Sequence, residues 1–198
     1  VIQQKNLEAA IDRWRKVLGA ARVLTQPSTI KRYCRNTAGA ERRVSAVLQP
    51  ESLTEIEALV RVAGEYKLPL YPISTGHNWG YGSASPVTDD AVIVDLSRLS
   101  GIDDSEIELG LITVEPGVTQ GILRDFLDQH GHPFLVPVHG GGPNCSLVGN
   151  ALERGYGIPA SPDDTTAGAR LCRHGRPGLP PTRDRTADHA DQPVRTLL

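Results

Sequence analysis

Leu7, Ala10, Ile11, Trp14 and Leu18 recur at intervals of three and four residues. That spacing places them on one face of a helix over 6–19, with Asn6 as its N-cap and Gly19 as its stop. Residues 20–43 carry no apolar period, and Pro27, Ser28 and Asn36 predict loop. A short apolar run, 44–48, then reads as a strand ended by Pro50. Ser52 followed by Glu55 is a capping box, and Leu53, Ile56, Leu59, Val60 and Ala63 form the stripe of a helix that ends near Gly64–Lys67. The run 68–73 is extended again. Strand, helix and strand over about thirty residues is the length of a βαβ unit. The second strand opens into S-T-G-H-N-W-G-Y-G, residues 74–82.

Further on, 91–96 and 111–115 are strand-like, the latter stopped by Pro116-Gly117. Val118, Ile122, Phe126 and Leu127 mark an amphipathic helix closed by Gly131. A last extended run, 134–138, enters H-G-G-G-P-N-C-S-L-V-G-N, residues 139–150. Alternating strands and helices without hairpin dipeptides favour α/β or α+β over all-β. From about Ile158 the pattern stops. That stretch has no aromatic residue, no Lys and no Glu, and six scattered prolines forbid long helices or strands. It reads as a disordered tail or as non-native sequence after a reading-frame change; either way it is not expected to pack.

Composition narrows the function classes. The chain has 198 residues, the size of one large domain or two small ones. The net charge is −2, so no basic surface for nucleic acid and no acidic tail is indicated. No apolar run approaches the roughly 20 residues of a membrane span. The opening VIQQKNLEAA lacks the apolar core of a secretory signal. Cys34, Cys145 and Cys172 are an odd number without a CxxC, which argues against a disulfide framework and for a reduced, cytoplasmic setting. With no Met anywhere, the sequence reads as a fragment, a processed form or a start at a Val codon. Only 5% of residues are aromatic, which is thin for a self-sufficient core.

Three features could carry chemistry. Gly76, Gly80 and Gly82 follow a strand, and glycine lets consecutive backbone N–H groups line a concavity that holds an anion without a lysine. Ser74, Thr75 and Asn78 add short donors, and Trp79 and Tyr81 could wall a planar ligand. The spacing is neither a Walker A loop nor GxGxxG. Residues 155–160, G-Y-G-I-P-A, match the GxGxxA form of the dinucleotide fingerprint. No strand leads into them, however, and Pro159 and Pro162 block the helix that should follow, so a nicotinamide Rossmann site is rejected. His130, His132, His139 and Cys145 are four potential ligands in sixteen positions, but the paired spacing of a zinc site is absent.

The order of motifs is more specific than any one of them. V-S-A-V-L-Q-P-E-S-L-T-E-I (44–56), Y-P-I-S-T-G-H-N-W-G-Y-G (71–82), I-V-D-L-S-R-L (93–99), V-E-P-G-V-T (114–119) and V-G-N-A-L-E-R-G-Y-G (148–157) follow one another. This series resembles the FAD-binding domain of the vanillyl-alcohol oxidase and p-cresol methylhydroxylase flavoprotein family, over roughly residues 40–157. The resemblance implies an α+β fold of two α/β subdomains with FAD between them, the second incomplete at its C-terminus. It divides the chain into a helical lead-in (1–39), the FAD-binding domain (40–157) and an unstructured or non-native tail (158–198). Ser74, Thr75, Gly76, His77, Asn78 and Trp79, with Gly82 and Ser83, would form the loop that holds the pyrophosphate. Pro116 would lie near the flavin. Gly142, Ser146, Gly149, Asn150 and Gly155 would line the cofactor from the second subdomain.

In the wider superfamily some members tether the flavin through a histidine at the position of His77. The surrounding motifs are closer to the branch that tethers from its cap domain, so a covalent link at His77 is possible but not favoured. The position matching that family's attachment cysteine is Gly142, not Cys145. The resemblance implies an FAD-dependent oxidoreductase, or the N-terminal half of one, that oxidises a small molecule such as a 4-alkylphenol or aryl alcohol. The cap and its acid/base groups have no counterpart here, so no catalytic residue is named. A truncated, non-catalytic flavoprotein remnant is the alternative, and a metal-dependent hydrolase built on the His/Cys cluster is a third reading. No nucleic-acid or membrane partner is expected, and association into an oligomer is left open.

Overall fold

The structure, a computed structural model, describes residues 4–34, 41–77, 84–136, 141–152 and the backbone of 172–173. Its elements run α1 (Gln4–Leu18), β1 (Val23–Leu24), α2 (Pro27–Cys34), β2 (Val44–Leu48), α3 (Leu53–Tyr66), β3 (Leu70–Ile73) and β4 (Ala91–Asp95). They continue through β5 (Ile102–Asp103), β6 (Thr113–Val114), α4 (Gln120–Gln129), β7 (Phe134–Leu135), α5 (Leu147–Leu152) and β8 (Cys172–Arg173).

The main sheet has the order β1-β2-β4-β3. β2, β4 and β3 are parallel, and β1 joins β2 antiparallel. The expected βαβ unit is present, but β4 lies between its two strands. This explains why β4 reads A-V-I-V with no polar alternation: all five of its residues are buried, as expected of a parallel strand covered on both faces. β3 is an edge strand, the place where Pro72 costs no ladder hydrogen bond.

Helices cover both faces. Trp14 and Leu18 of α1 and Leu59, Val62 and Ala63 of α3 pack on Ala46, Leu48, Val92 and Val94. On the opposite face Tyr33 of α2 packs with Val44, Val47, Ile73 and Ile93. Val44 and Ala46 would share a face in a regular strand. A register shift between them, opposite Ala91 and Val92, sends them to different cores. A second, smaller core holds Ile107, Val118, Leu123, Leu127 and Leu147, beside the β5–β6 ribbon and α4. β7 pairs with β8. Otherwise the 158–198 stretch lies outside the described residues, as do Asn36 and the 155–160 run.

Several local expectations need correction. The 20–43 stretch is not all loop; it contains a 3-10 turn, β1 and α2. Pro27 occupies the first position of α2, where its missing N–H is not needed. The apolar stripe of α2 (Ile30, Tyr33, Cys34) lasts a single turn, too short to show a period. Asn6 lies inside α1 rather than capping it. In α3, Leu53 and Val60 are exposed, and Val62 takes the buried place assigned to Val60.

The α3 cap is as expected on one side only. Ser52 accepts from the Glu55 N–H at 3.2 Å. The Glu55 carboxylate, however, turns to the Glu51 N–H (2.7 Å) and to Arg22, which donates to both its oxygens at 2.6 and 2.7 Å. The Arg22 hydrogen bond is the main cause of a lowered Glu55 pKa. A carboxylate whose folded pKa is depressed stabilises the fold above its unfolded pKa, and that contribution is lost as pH falls through the folded value. Glu55→Gln should therefore melt below the parent near neutral pH. Thermal melts over decreasing pH should show the two converging below the ordinary carboxylate range of about 4.

Candidate functional site

In open parallel sheets, ligands sit beyond the carboxyl ends of the strands. β3 ends there in Ser74–His77, and β4 ends in Asp95. Gly76 has φ +71°, a left-handed conformation that glycine adopts without strain. Among the described residues, the backbone N–H groups of Thr75, Gly76 and His77 meet no acceptor. Three consecutive unpaired amides at a strand end can take up a phosphate or other anion. His77 is exposed.

Four contacts bring this loop and its neighbours against the turn 141–146 and α5, remote in sequence. The Thr75 hydroxyl donates to the Asn144 carbonyl at 3.1 Å. The Cys145 thiol lies 3.2 Å from the His77 carbonyl and 2.6 Å from that of Gly141. A Cβ on Gly149 would come within 3.0 Å of Ser74 Oγ, so the small residue permits the approach of α5. Ser146 donates to the Pro116 carbonyl at 2.7 Å and accepts the Gly149 N–H at 3.0 Å. Burial pushes the Cys145 thiol pKa up, so it stays protonated and able to donate.

The structure thus gathers Ser74, Thr75, Gly76, His77, Pro116, Ser146 and Gly149. Gly142 belongs to the same turn, with φ +81°, and its carbonyl accepts from the Cys145 N–H at 3.1 Å. Asn150 lies half-buried in α5. Asn78, Trp79, Gly82, Ser83 and Gly155 lie outside the described residues, as does Tyr81. One expectation shifts in detail. The Thr75 hydroxyl is engaged by Asn144, so Thr75 has its amide to offer an anion. A Cβ added at Gly76 would meet Ala84 at 3.1 Å.

The supports below these loops leave no local pattern in the sequence. Gly117 is wedged where a Cβ would stand 2.5 Å from the Ser97 carbonyl oxygen and 2.6 Å from that of Leu99. Its N–H donates to the latter at 2.7 Å. Asp95, buried at the end of β4, accepts from Tyr33 (2.6 Å), Gln49 (3.2 Å) and the Ser97 N–H (3.1 Å). Arg32 donates in turn to the Tyr33 hydroxyl. Burial first, then the Asp95 hydrogen bond, push the Tyr33 phenol pKa up to about 12. Tyr33 sits in the segment read as loop, 62 residues from its partner, so only the fold reveals the pair.

The His/Cys cluster goes elsewhere. His132 Nε2 lies 3.0 Å from Asp104, and His130 stacks on Phe126 at 4.1 Å. Among the described residues, no three His, Cys, Asp or Glu side chains form a group that could hold a metal; His139 lies outside them. No described helix is long and apolar enough to cross a membrane.

The loop that ends β3, whose amides at 75–77 meet no acceptor among the described residues, faces a glycine-containing turn of the second small core, an arrangement that fits a dinucleotide. The chain belongs to the FAD binding domain family, whose model matches residues 44–172. That match extends past Gly157, where the motif series ends. Among similar proteins is 1'-carboxy-chondrochloren decarboxylase of Chondromyces crocatus, 42% identical over 76% of this chain and 28% of that protein. The 4-cresol dehydrogenase [hydroxylating] flavoprotein subunit of Pseudomonas putida is 30% identical over 79% of this chain and 30% of that subunit. The solved structure of 4-ethylphenol oxidase from Gulosibacter chungangensis superimposes with a TM-score of 0.73 at 28% identity, over 79% of this chain and 30% of that one. The chain therefore spans about three tenths of the length of the relatives it matches. The cofactor of this domain is FAD. The amides of 75–77, which meet no acceptor among the described residues, and the close approach of Gly149 to Ser74 fit a ligand whose diphosphate needs backbone rather than side-chain contact.

Proposed function

We propose that this chain is the FAD-holding part of an oxidoreductase that acts on a small phenolic substrate of the 4-alkylphenol or aryl-alcohol class. The observation that carries the reading is the meeting of two loops 69 residues apart, each expected separately to hold FAD. FAD, when bound, supplies two-electron oxidation. The amides of Thr75, Gly76 and His77 hold its diphosphate. Gly142, Gly149 and Asn150 line the opposite side, and Ser146 fixes Pro116 beside the flavin. Asn78, Trp79, Gly82, Ser83 and Gly155 complete the proposed contacts. The substrate class rests on two relatives whose names specify 4-cresol and 4-ethylphenol. The 42% identity to a decarboxylase favours, as a second reading, loss of a carboxyl group from the substrate. A cytoplasmic location is part of the proposal, as is the domain division at 40 and 158.

The flavin link is proposed to be non-covalent. Acid precipitation of the flavin-loaded protein should leave the yellow colour in the supernatant for both the parent and His77→Asn. Flavin that stays with the parent pellet but leaves the His77→Asn pellet would instead make His77 the tether. A colourless protein that takes up no added FAD would overturn the functional reading itself.

A further inference from the structure

We propose that Thr75 and Cys145 act together as positioning residues that stitch the two loops into one preformed cradle, so that the amides of 75–77 are arranged before the diphosphate arrives. This rests on the FAD reading above. Thr75 directs its hydroxyl onto the Asn144 carbonyl of the other loop, and the Cys145 sulfur sits between the loops, 3.2 Å from the His77 carbonyl and 2.6 Å from that of Gly141 in its own turn, so it packs the seam that the Thr75 bond closes. The turn that receives the Thr75 bond is itself anchored to α4. The Gln120 N–H donates to the Cys145 carbonyl at 3.0 Å, and the Gly121 N–H to that of Pro143 at 2.9 Å. The stitch therefore ties the loop that carries the 75–77 amides to a fixed element. A loop held in its binding conformation loses less freedom on binding, and that saving appears as affinity. Neither side chain need touch FAD for this to act.

The test is titration of the purified chain with FAD, followed by flavin fluorescence, with melting of the unliganded protein alongside. Thr75→Val keeps the shape but removes the hydroxyl, and should weaken FAD about three- to tenfold. Thr75→Ser keeps the donor and should remain within about twofold of the parent, since the same hydrogen bond is retained. Cys145→Ala removes the sulfur from the seam and should also weaken FAD. Its loss should not simply add to that of Thr75→Val, because both act on one loop. The unliganded melting temperature of Thr75→Val should fall by a few degrees, because a bond formed before FAD arrives also stabilises the free protein, and Thr75→Ser should restore it. Thr75→Val and Cys145→Ala binding FAD like the parent would overturn the stitch and leave the FAD reading standing. Equal loss in Thr75→Ser and Thr75→Val would also overturn it. A parent chain that binds no FAD would remove both.

Discussion

Trp14→Ala is expected to destabilise the fold by about 3–5 kcal/mol, the range for emptying a buried large aromatic site. Trp14 is fully buried between α1 and α3. Its indole N–H donates to the Leu59 carbonyl at 3.1 Å. Few aromatic residues share this work: the chain has two Trp and two Phe, and Trp14 is the largest fully buried side chain among the described residues. Truncation removes its contacts and opens a cavity that the sheet beneath, already packed by Ala46, Leu48 and Val92, has little means to fill. Trp14→Phe should lose less, since it keeps most of the apolar volume and gives up the hydrogen bond. Denaturant unfolding of the two variants checks both statements. A loss below about 1 kcal/mol for Trp14→Ala would mean that α1 is not part of the core.

Gly76→Val is expected to weaken FAD binding at least tenfold. Its φ of +71° is open to glycine but strained for a β-branched residue, at a cost of order 1–3 kcal/mol. The added Cβ would also press on Ala84 at 3.1 Å. The loop relieves both by moving, and its amides move with it. Each 1.4 kcal/mol lost from binding is about a factor of ten in Kd. Gly64→Ala is the appropriate comparison, because Gly64 lies in α3 and a Cβ added there would meet nothing within 4 Å. Gly101 is unsuitable: a Cβ there would meet Glu115 Oε2 at 2.9 Å, the atom its own N–H bonds at 2.7 Å. Equal FAD affinity in Gly76→Val and Gly64→Ala would remove the 74–77 loop from the phosphate contacts.

The parts of the fold legible in the sequence are those where local pattern and tertiary packing agree. The 44–48 strand and the α3 cap at Ser52 are found where the sequence pattern placed them, and the 91–96 run is a buried strand over 91–95. The later strands are shorter than their apolar runs: 111–115 becomes Thr113–Val114, and of 134–136 the strand keeps Phe134–Leu135, 137–138 lying outside the described residues. α2 is hidden because its apolar stripe, Ile30, Tyr33 and Cys34, spans only one turn of the helix, too short to show a period. The candidate site was legible as two glycine-rich stretches, since glycine marks backbone approach in the sequence itself. What joins them was not. A hydroxyl bonding a carbonyl 69 residues away, or a carboxylate gathering Tyr33, Gln49 and the Ser97 amide, leaves no local signature.

Hydrogen exchange of the purified chain with and without FAD tests the central claim most directly. The account predicts uptake of FAD, with slowed exchange concentrated in the amides of 75–77 and little change in α1 and α3, which are protected by the core in either state. FAD uptake with protection that spares 75–77, or no uptake at all, would contradict it.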